Sequence, residues 1–228
     1  MNDIVWQKPK EIINLQPNEI HIWLAGLTDW ADFPQDVLNA DELQRGRRFV
    51  REEDRRSFCL ARAFLRMILA HYLPIQPRRL VFREGSHGKL YLQPNPTQLQ
   101  FNLSHSKDLA LYAVTLNQEI GIDIEWIKPA FAIQPLAQRF FTQEESQTLL
   151  TLPKTRQAPA FFQLWTRKEA YLKALGLGLS GLSHALTDAP RSITNLAIAP
   201  EYASAVALVP PSRLDIATFY HFSINSKA

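Results

Sequence analysis

The amino-acid sequence predicts an α+β fold of two pseudo-symmetric α/β halves, each with a long helix packed on a small antiparallel sheet. Three observations lead there. Stretches with helical periodicity and stretches with strand alternation segregate along the chain instead of alternating strictly, which favours antiparallel sheets over a parallel βαβ winding. A pattern is also repeated. Arg48-Phe49, Glu52-Glu53, Phe58 and Phe64-Leu65-Arg66 return as Arg139-Phe140, Glu144-Glu145, Trp165 and Tyr171-Leu172-Lys173. Finally, 228 residues are many for one small domain and few for two large ones. The halves are placed at residues 1–116 and 117–228.

Glu19 to Leu27 alternates and is rich in strand formers, so it is the first predicted strand. A short helix is predicted over Pro34 to Ala40, and Asp41 with Gln44 three residues on reads as a capping box. A long amphipathic helix follows over Glu52 to Tyr72. Phe58, Ala61, Leu65, Ile68 and Leu69 fall on one face at spacings of three and four, and Pro74 and Pro77 end it. Arg79 to Arg83 and Lys89 to Leu92 read as short strands around the loop Gly85-Ser86-His87-Gly88. Phe101 to Ser104 is a strand end and Leu109 to Leu116 an apolar strand. Asn117-Gln118 then turns into the strand Ile120 to Ile127, and these two strands are expected to pair as a hairpin.

Past Pro129 the pattern is helical. Gln134 to Phe141 is one short helix. Thr142 with Glu145 forms a second capping box that opens the helix Gln143 to Leu152. Pro153 to Pro159 reads as a loop. Ala160 to Leu175 is a longer helix stopped by the glycines that follow. Alternation near Ser192 to Ile198, Ser204 to Val209 and Asp215 to Ile224 predicts three antiparallel strands.

The composition, 46% hydrophobic and 21% charged, is that of a soluble globular protein. No stretch approaches the ~20 apolar residues that cross a bilayer, and the opening residues lack an apolar signal core. Cys59 is the only cysteine, which excludes a disulfide framework and a thiolate metal cluster. A cytoplasmic protein without a membrane partner is expected. The net charge of +3 suits an anionic ligand or an acidic partner and does not single out nucleic acid, so none is expected.

The chemistry gathers in a few stretches. Gly121-Ile122-Asp123-Ile124-Glu125 is a strand whose period of two sends Asp123 and Glu125 to one face and Ile122, Ile124 and Trp126 to the other. Two acids on one face need a cation, a basic partner or water. A divalent metal site and a solvated edge strand both satisfy that need. On the helix Ala160 to Leu175, Glu169 and Lys173 lie four apart, with Trp165 four before Glu169, either as a surface ion pair or as a third acid and a phosphate-reaching lysine. Ser104-His105-Ser106 follows a strand end. Adjacent residues point apart on an extended chain, so these are not a serine-hydrolase pair, but they can meet an anion. Lys89 and the cluster Arg45, Arg47, Arg48 add cations, while Arg62 and Arg66 are expected to pair with Glu52 or Glu53. Carboxylate ligands without sulfur suit Mg²⁺, and the scattered cations and hydroxyls suit a ligand with several phosphates.

These stretches resemble one family, the 4′-phosphopantetheinyl transferases of the larger, two-half, surfactin-synthetase-activating type. The resemblance rests on Phe101-Asn102-Leu103-Ser104-His105, on Gly121 to Glu125, and on the run Trp165 to Lys173. Gly88-Lys89, Arg139 to Thr142 and Glu144-Glu145 fit in order. It covers residues 40 to 180. It implies coenzyme A in the cleft between the halves and Mg²⁺, with Mn²⁺ the alternative, on Asp123, Glu125 and Glu169. It implies that a carrier-protein serine attacks the β-phosphate, taking the 4′-phosphopantetheine arm and releasing adenosine 3′,5′-bisphosphate. Glu169, Lys173 and Asp123 are then the catalytic residues. Arg45, Lys89, Ser104, His105 and Lys173 bind the coenzyme. An acyl or peptidyl carrier docks on Trp126 to Phe141, where Phe131, Ile133, Leu136 and Phe140 offer apolar contacts and Lys128 and Arg139 meet an acidic helix. Glu42 departs from the pattern by replacing a lysine. A two-half chain is expected to be a monomer. The competing readings are a Mg²⁺-dependent phosphate-ester hydrolase and a coenzyme-binding module without turnover.

Overall fold

The structure is a computed structural model, and it describes residues 4–28, 35–128, 132–178, 193–210 and 216–222. Pro34, Phe131, Ser192, Asp215 and Ile224, on which some of the expectations above fall, lie outside the described residues.

Four layers succeed one another: helix, sheet, sheet, helix. The first sheet has the order β1-β10-β2-β6-β5, from β1 (Trp6–Gln7), β10 (Ile216–Phe222), β2 (Glu19–Gly26), β6 (Leu109–Leu116) and β5 (Leu99–Ser106). The long helix α2 (Glu52–Ala70) covers one face of it. Leu65, Ile68 and Leu69 there pack with Trp23 and Tyr112, all without measurable exposure. The face expected from periodicity is the buried one, except that Phe58 turns toward the cavity described below. The other face of the sheet presents Ile20, Ile22, Leu111 and Ala113 to Ile120, Ile122, Ile124 and Val206 of a second sheet. That sheet has the order β7-β9-β8, from β7 (Glu119–Trp126), β9 (Tyr202–Val209) and β8 (Ile193–Asn195). Its far face carries Ala205 and Ala207 against Ala170 and Ala174 of α5 (Lys154–Leu175).

The expected small hairpin is present as β3 (Phe82–Glu84) with β4 (Leu90–Leu92), but its first strand starts at Phe82 because Pro77–Arg79 forms a 3-10 turn in place of the expected strand start at Arg79. The expected hairpin between residues 109–116 and 120–127 is not there. β6 is paired on both edges, by β2 and β5, and has no edge left for β7. Asn117, at φ 59°, turns the chain into the second layer, where β7 pairs antiparallel with β9. The strand at residues 216–222 is also not part of an antiparallel trio. It lies parallel to β2 in the first sheet and stacks Tyr220 on Trp23 at 4.6 Å. β1, which the sequence did not suggest, pairs parallel with β10.

Two helix starts also differ from expectation. α1 (Ala40–Gly46) is capped by Asn39 and not by Asp41. Asn39 accepts the Glu42 amide at 2.9 Å, and Glu42 Oε2 accepts the Asn39 amide at 3.1 Å. The Glu42 carboxylate is fixed further by Arg62 Nε at 2.9 Å and Arg66 Nε at 2.7 Å. Neither expected partner, Glu52 or Glu53, pairs with those arginines, and Glu52 binds Arg55 and Arg56. α5 begins at Lys154, so the expected loop at 153–159 is its first turns. Gln157 explains why helix wins over Pro159: its amide caps the Leu150 and Leu152 carbonyls at the end of α4 (Gln143–Thr151), at 3.0 and 2.9 Å. The Thr142–Glu145 capping box of α4 is present as read.

His21 on β2 is buried beside the end of α2. Trp23 Nε1 donates to the Tyr72 hydroxyl at 2.7 Å, and that hydroxyl stands 2.9 Å from His21 Nδ1. One hydroxyl hydrogen serves the chain of three when it is donated to a neutral His21.

Candidate active site

The edge of β7 that faces away from β9 is not bare. Alternate residues of β5, all on the side facing the second sheet, close it with side chains in place of a backbone ladder. Asn102 Oδ1 accepts the Ile122 amide at 3.0 Å, and Ser106 Oγ accepts the Trp126 amide at 3.0 Å. Ser104 Oγ donates to Asp123 Oδ1 at 2.8 Å, and Ser106 Oγ donates to Glu125 Oε2 at 2.8 Å. The serine-flanked histidine is therefore part of a long strand, with its two serines aimed at the acids of β7.

From the other side α5 lies directly on β7, and Gly121 allows it. A Cβ at that position would stand 2.0 Å from the Ala170 carbonyl oxygen and 2.4 Å from the Ala174 amide nitrogen, far inside van der Waals contact. The close approach brings Glu169 and Lys173, one turn apart, over the acids. Lys173 Nζ donates to Asp123 Oδ1 at 2.6 Å and to Ser104 Oγ at 2.9 Å.

A cavity of about 470 Å³ opens here, lined from both halves. Arg45, Ser104 and His105 line it from residues 1–116, and Asp123, Glu125, Glu169 and Lys173 from residues 117–228. Of the site residues expected from the sequence, only Lys89 is not in its wall. Lys89 Nζ instead donates to Glu119 Oε2 at 2.5 Å and to the Ala174 carbonyl at 2.8 Å. Arg45, exposed at the rim, pairs with Glu84 Oε2 at 2.7 Å. Arg62 also reaches the wall. The sequence reading pairs it with Glu52 or Glu53 on its own helix, and local spacing does not show that its partner is Glu42 of α1. The missed signal was Glu42, an acid one turn into α1 where the pattern has a cation.

The electrostatics show how crowded the acids are. Burial, then the Asp123 charge, push the Glu169 carboxyl up to about 7, against a partial offset from Lys173. The same two causes raise Glu125. The protein packed around the His105 ring, and then the Lys173 ammonium, lower that imidazole although part of it remains open at the rim. Asp123 Oδ2 and Glu169 Oε1 are buried without a hydrogen-bond partner. A lysine and two hydroxyls thus satisfy part of the acidic cluster and leave part unmet. Among the described residues, no three His, Cys, Asp or Glu side chains stand ready-made as a metal cage, and in this arrangement Lys173 holds Asp123 Oδ1 and Ser106 holds Glu125 Oε2. The unmet oxygens are hard donors, which fits a cation such as Mg²⁺ that takes few protein ligands and keeps water or phosphate on the rest.

The surface beyond the site, after Trp126, continues into α3 (Ile133–Phe140). Ile133, Leu136 and Phe140 are half-buried against α5, and Phe140 meets Trp165 edge-on at 5.4 Å. Lys107 lies 4.3 Å from the Trp126 ring centroid.

Known proteins resemble this chain over most of its length. The family model for the 4′-phosphopantetheinyl transferase superfamily matches residues 119–207, and that for the 4′-phosphopantetheinyl transferase N-terminal region matches residues 22–117. The chain is 39% identical over 213 residues to the 4′-phosphopantetheinyl transferase HetI of Nostoc sp. strain PCC 7120, covering 90% of this chain and 89% of that protein. It is 39% identical over 131 residues to the 4′-phosphopantetheinyl transferase psf-1 of Bacillus pumilus, covering 57% of this chain and 54% of that protein. It is 32% identical over 143 residues to the 4′-phosphopantetheinyl transferase Sfp of Bacillus subtilis strain 168, covering 63% of this chain and 62% of that protein.

Proposed function

This chain belongs to the 4′-phosphopantetheinyl transferase superfamily and is a transferase of that family, and from there we propose how it works. It moves the 4′-phosphopantetheine arm of coenzyme A to a serine of an acyl or peptidyl carrier protein. Apo-carrier becomes holo-carrier and adenosine 3′,5′-bisphosphate leaves. The observation that carries the proposal is the single cavity in which Asp123, Glu125, Glu169 and Lys173 meet anion-binding residues of the other half.

The chain's residues divide the work. Arg45 and His105, which line the cavity from the first half, receive the nucleotide phosphates, and Ser104 steadies Lys173 beside Asp123. Lys173 offers its ammonium to the pyrophosphate, as a positioned cation does in phosphoryl transfer. The serine hydroxyl of the carrier forms a bond to the β-phosphorus. The bond from that phosphorus to the bridging oxygen breaks, and the oxygen leaves with the adenosine bisphosphate. The hydroxyl proton passes to Glu169, whose Oε1 has no other partner. Asp123, Glu125 and Glu169 would hold Mg²⁺, with Mn²⁺ the alternative. When bound, the metal supplies Lewis-acid neutralisation of the charge growing on the pyrophosphate. The carrier docks along Trp126 to Phe141. Ile133, Leu136 and Phe140 supply the apolar part of that surface, and Lys128 and Arg139 the cations for an acidic helix.

Incubation with coenzyme A, Mg²⁺ and an apo-carrier tests the proposal, with the carrier weighed by mass spectrometry. The carrier should gain one phosphopantetheine arm, and chelation with EDTA should stop the gain. Adenosine bisphosphate released without a carrier would mean a hydrolase. Tight coenzyme A binding with no turnover would mean a binding module.

A further inference from the structure

Lys89 is the expected site residue that does not face the cavity, and its surroundings assign it other work. Gly88 and Leu90 on either side line the cavity, while Lys89 lies behind them in a smaller adjoining pocket of about 140 Å³ that it shares with Lys173 and Gly176. Its side chain is buried, and an ammonium has three hydrogens to give. Glu119 Oε2 takes one at 2.5 Å, the Ala174 carbonyl takes one at 2.8 Å, and the Ile120 carbonyl stands at 3.4 Å. Two of its hydrogens are committed within the protein and the third is held only at long range.

The acceptors are informative. Ala174 is in the last turn of α5, where carbonyls lack a partner inside the helix and a cation is favoured. It follows Lys173 directly and packs its amide against Gly121. Glu119 and Ile120 open β7, a few residues before Asp123. One ammonium from the first half's β3–β4 hairpin therefore touches both elements that carry the acids and Lys173, at the end where the two run together. Gly176, in the left-handed conformation at φ 69°, ends α5 beside it, where a Cβ would crowd the Tyr91 hydroxyl at 3.1 Å.

We infer that Lys89 is a positioning residue: a clasp from the first half that sets the end of α5 against the start of β7 and so aligns Lys173 with Asp123. This rests on the transferase reading above, and it departs from the coenzyme contact that the family resemblance implies for the same lysine. A clasp and a ligand contact fail differently. Loss of a ligand contact weakens coenzyme binding. Loss of a clasp leaves the coenzyme bound and misplaces the groups that act on it, which lowers turnover.

Steady-state transfer and coenzyme A titration on wild type, Lys89→Met and Glu119→Gln separate the two. Lys89→Met should lower kcat about tenfold while KM and Kd for coenzyme A stay within about twofold. Glu119→Gln should give the same split in weaker form. Its carboxylate stands outside the cavity and is 41% exposed, so this variant folds even if Lys89→Met does not. A Kd for coenzyme A raised about tenfold in Lys89→Met with kcat intact would make the lysine a ligand contact and overturn the inference. So would a Glu119→Gln enzyme with wild-type kcat. A wild-type protein that transfers nothing sinks the transferase reading itself, an outcome distinct from either.

Discussion

Asp123 gives one carboxylate oxygen to two donors and keeps the other buried and unmatched. Glu169 is in the same position with Oε1. Removing Glu169 takes away a charge that burial already disfavours, and removing Asp123 leaves a Lys173 that is part-exposed and can turn to water, so the fold should tolerate either change. Asp123→Ala and Glu169→Ala are expected to cut transfer at least about a hundredfold with unchanged circular dichroism. Lys173→Ala should be slower by about tenfold and not dead, since Arg45 and His105 still bind the ligand. A near-normal rate in either acid variant would remove that residue from the reaction. His21 makes a separate prediction. Burial lowers its pKa from 6.5 to about 4, so it stays neutral in the folded state while the unfolded chain takes up a proton below about 6.5. Its contribution is complete above that pH and is lost as pH falls toward about 4, with a slope of up to about 1.4 kcal/mol per pH unit. Urea unfolding at pH 5 and pH 7 measures it. A His21→Gln variant should lose most of that slope, and an unchanged slope would place the titrating group elsewhere.

At the scale of elements, the meeting of α5 with β7 decides whether the site exists. Gly121→Ala would drive a methyl into the α5 backbone, which cannot yield as a side-chain tip can. It should cost about 3 kcal/mol in denaturant unfolding and lower kcat by more than the loss of folded protein explains. The helix Glu169–Lys173 face, the β7 acids and the Thr142–Glu145 cap were legible because each is a local pattern: a period of two, a spacing of four, a box of four residues. Local patterns mislead where a distant group outweighs a local one. Gln157 caps a neighbouring helix and draws Pro159 into α5. Asn39 outcompetes Asp41 because Glu42 is held from below by Arg62 and Arg66. Lys89 follows a glycine at a hairpin tip in the way a phosphate-binding lysine does, and only the end of α5, some 85 residues on in sequence, shows where it points.

For the whole molecule, the two halves are bound by more than the cavity between them. β10 belongs to residues 216–222 yet lies inside the first sheet, between β1 and β2. A fragment of residues 1–116 therefore lacks a strand that is paired on both edges. It is expected to show no dispersed amide spectrum by NMR, whereas the full chain should. Every acid and cation of the proposed site comes from one copy of the chain, so transfer should not depend on enzyme concentration beyond proportionality, and sedimentation should report a monomer. The order of the halves could be read from the repeated pattern, but the return of β10 could not. A strand's partner lies in tertiary pairing, and the alternation at 216–222 fits either sheet. Its placement has a consequence for biosynthesis. A ribosome delivers β7 and α5, with the whole acidic cluster, well before it delivers the strand that completes the sheet beneath them. The nascent enzyme must wait with its first sheet unfinished and the Trp23 side without Tyr220. Maturation is then a late, all-or-none event, and a stall upstream of residue 216 should yield chains that carry every reactive group and catalyse nothing.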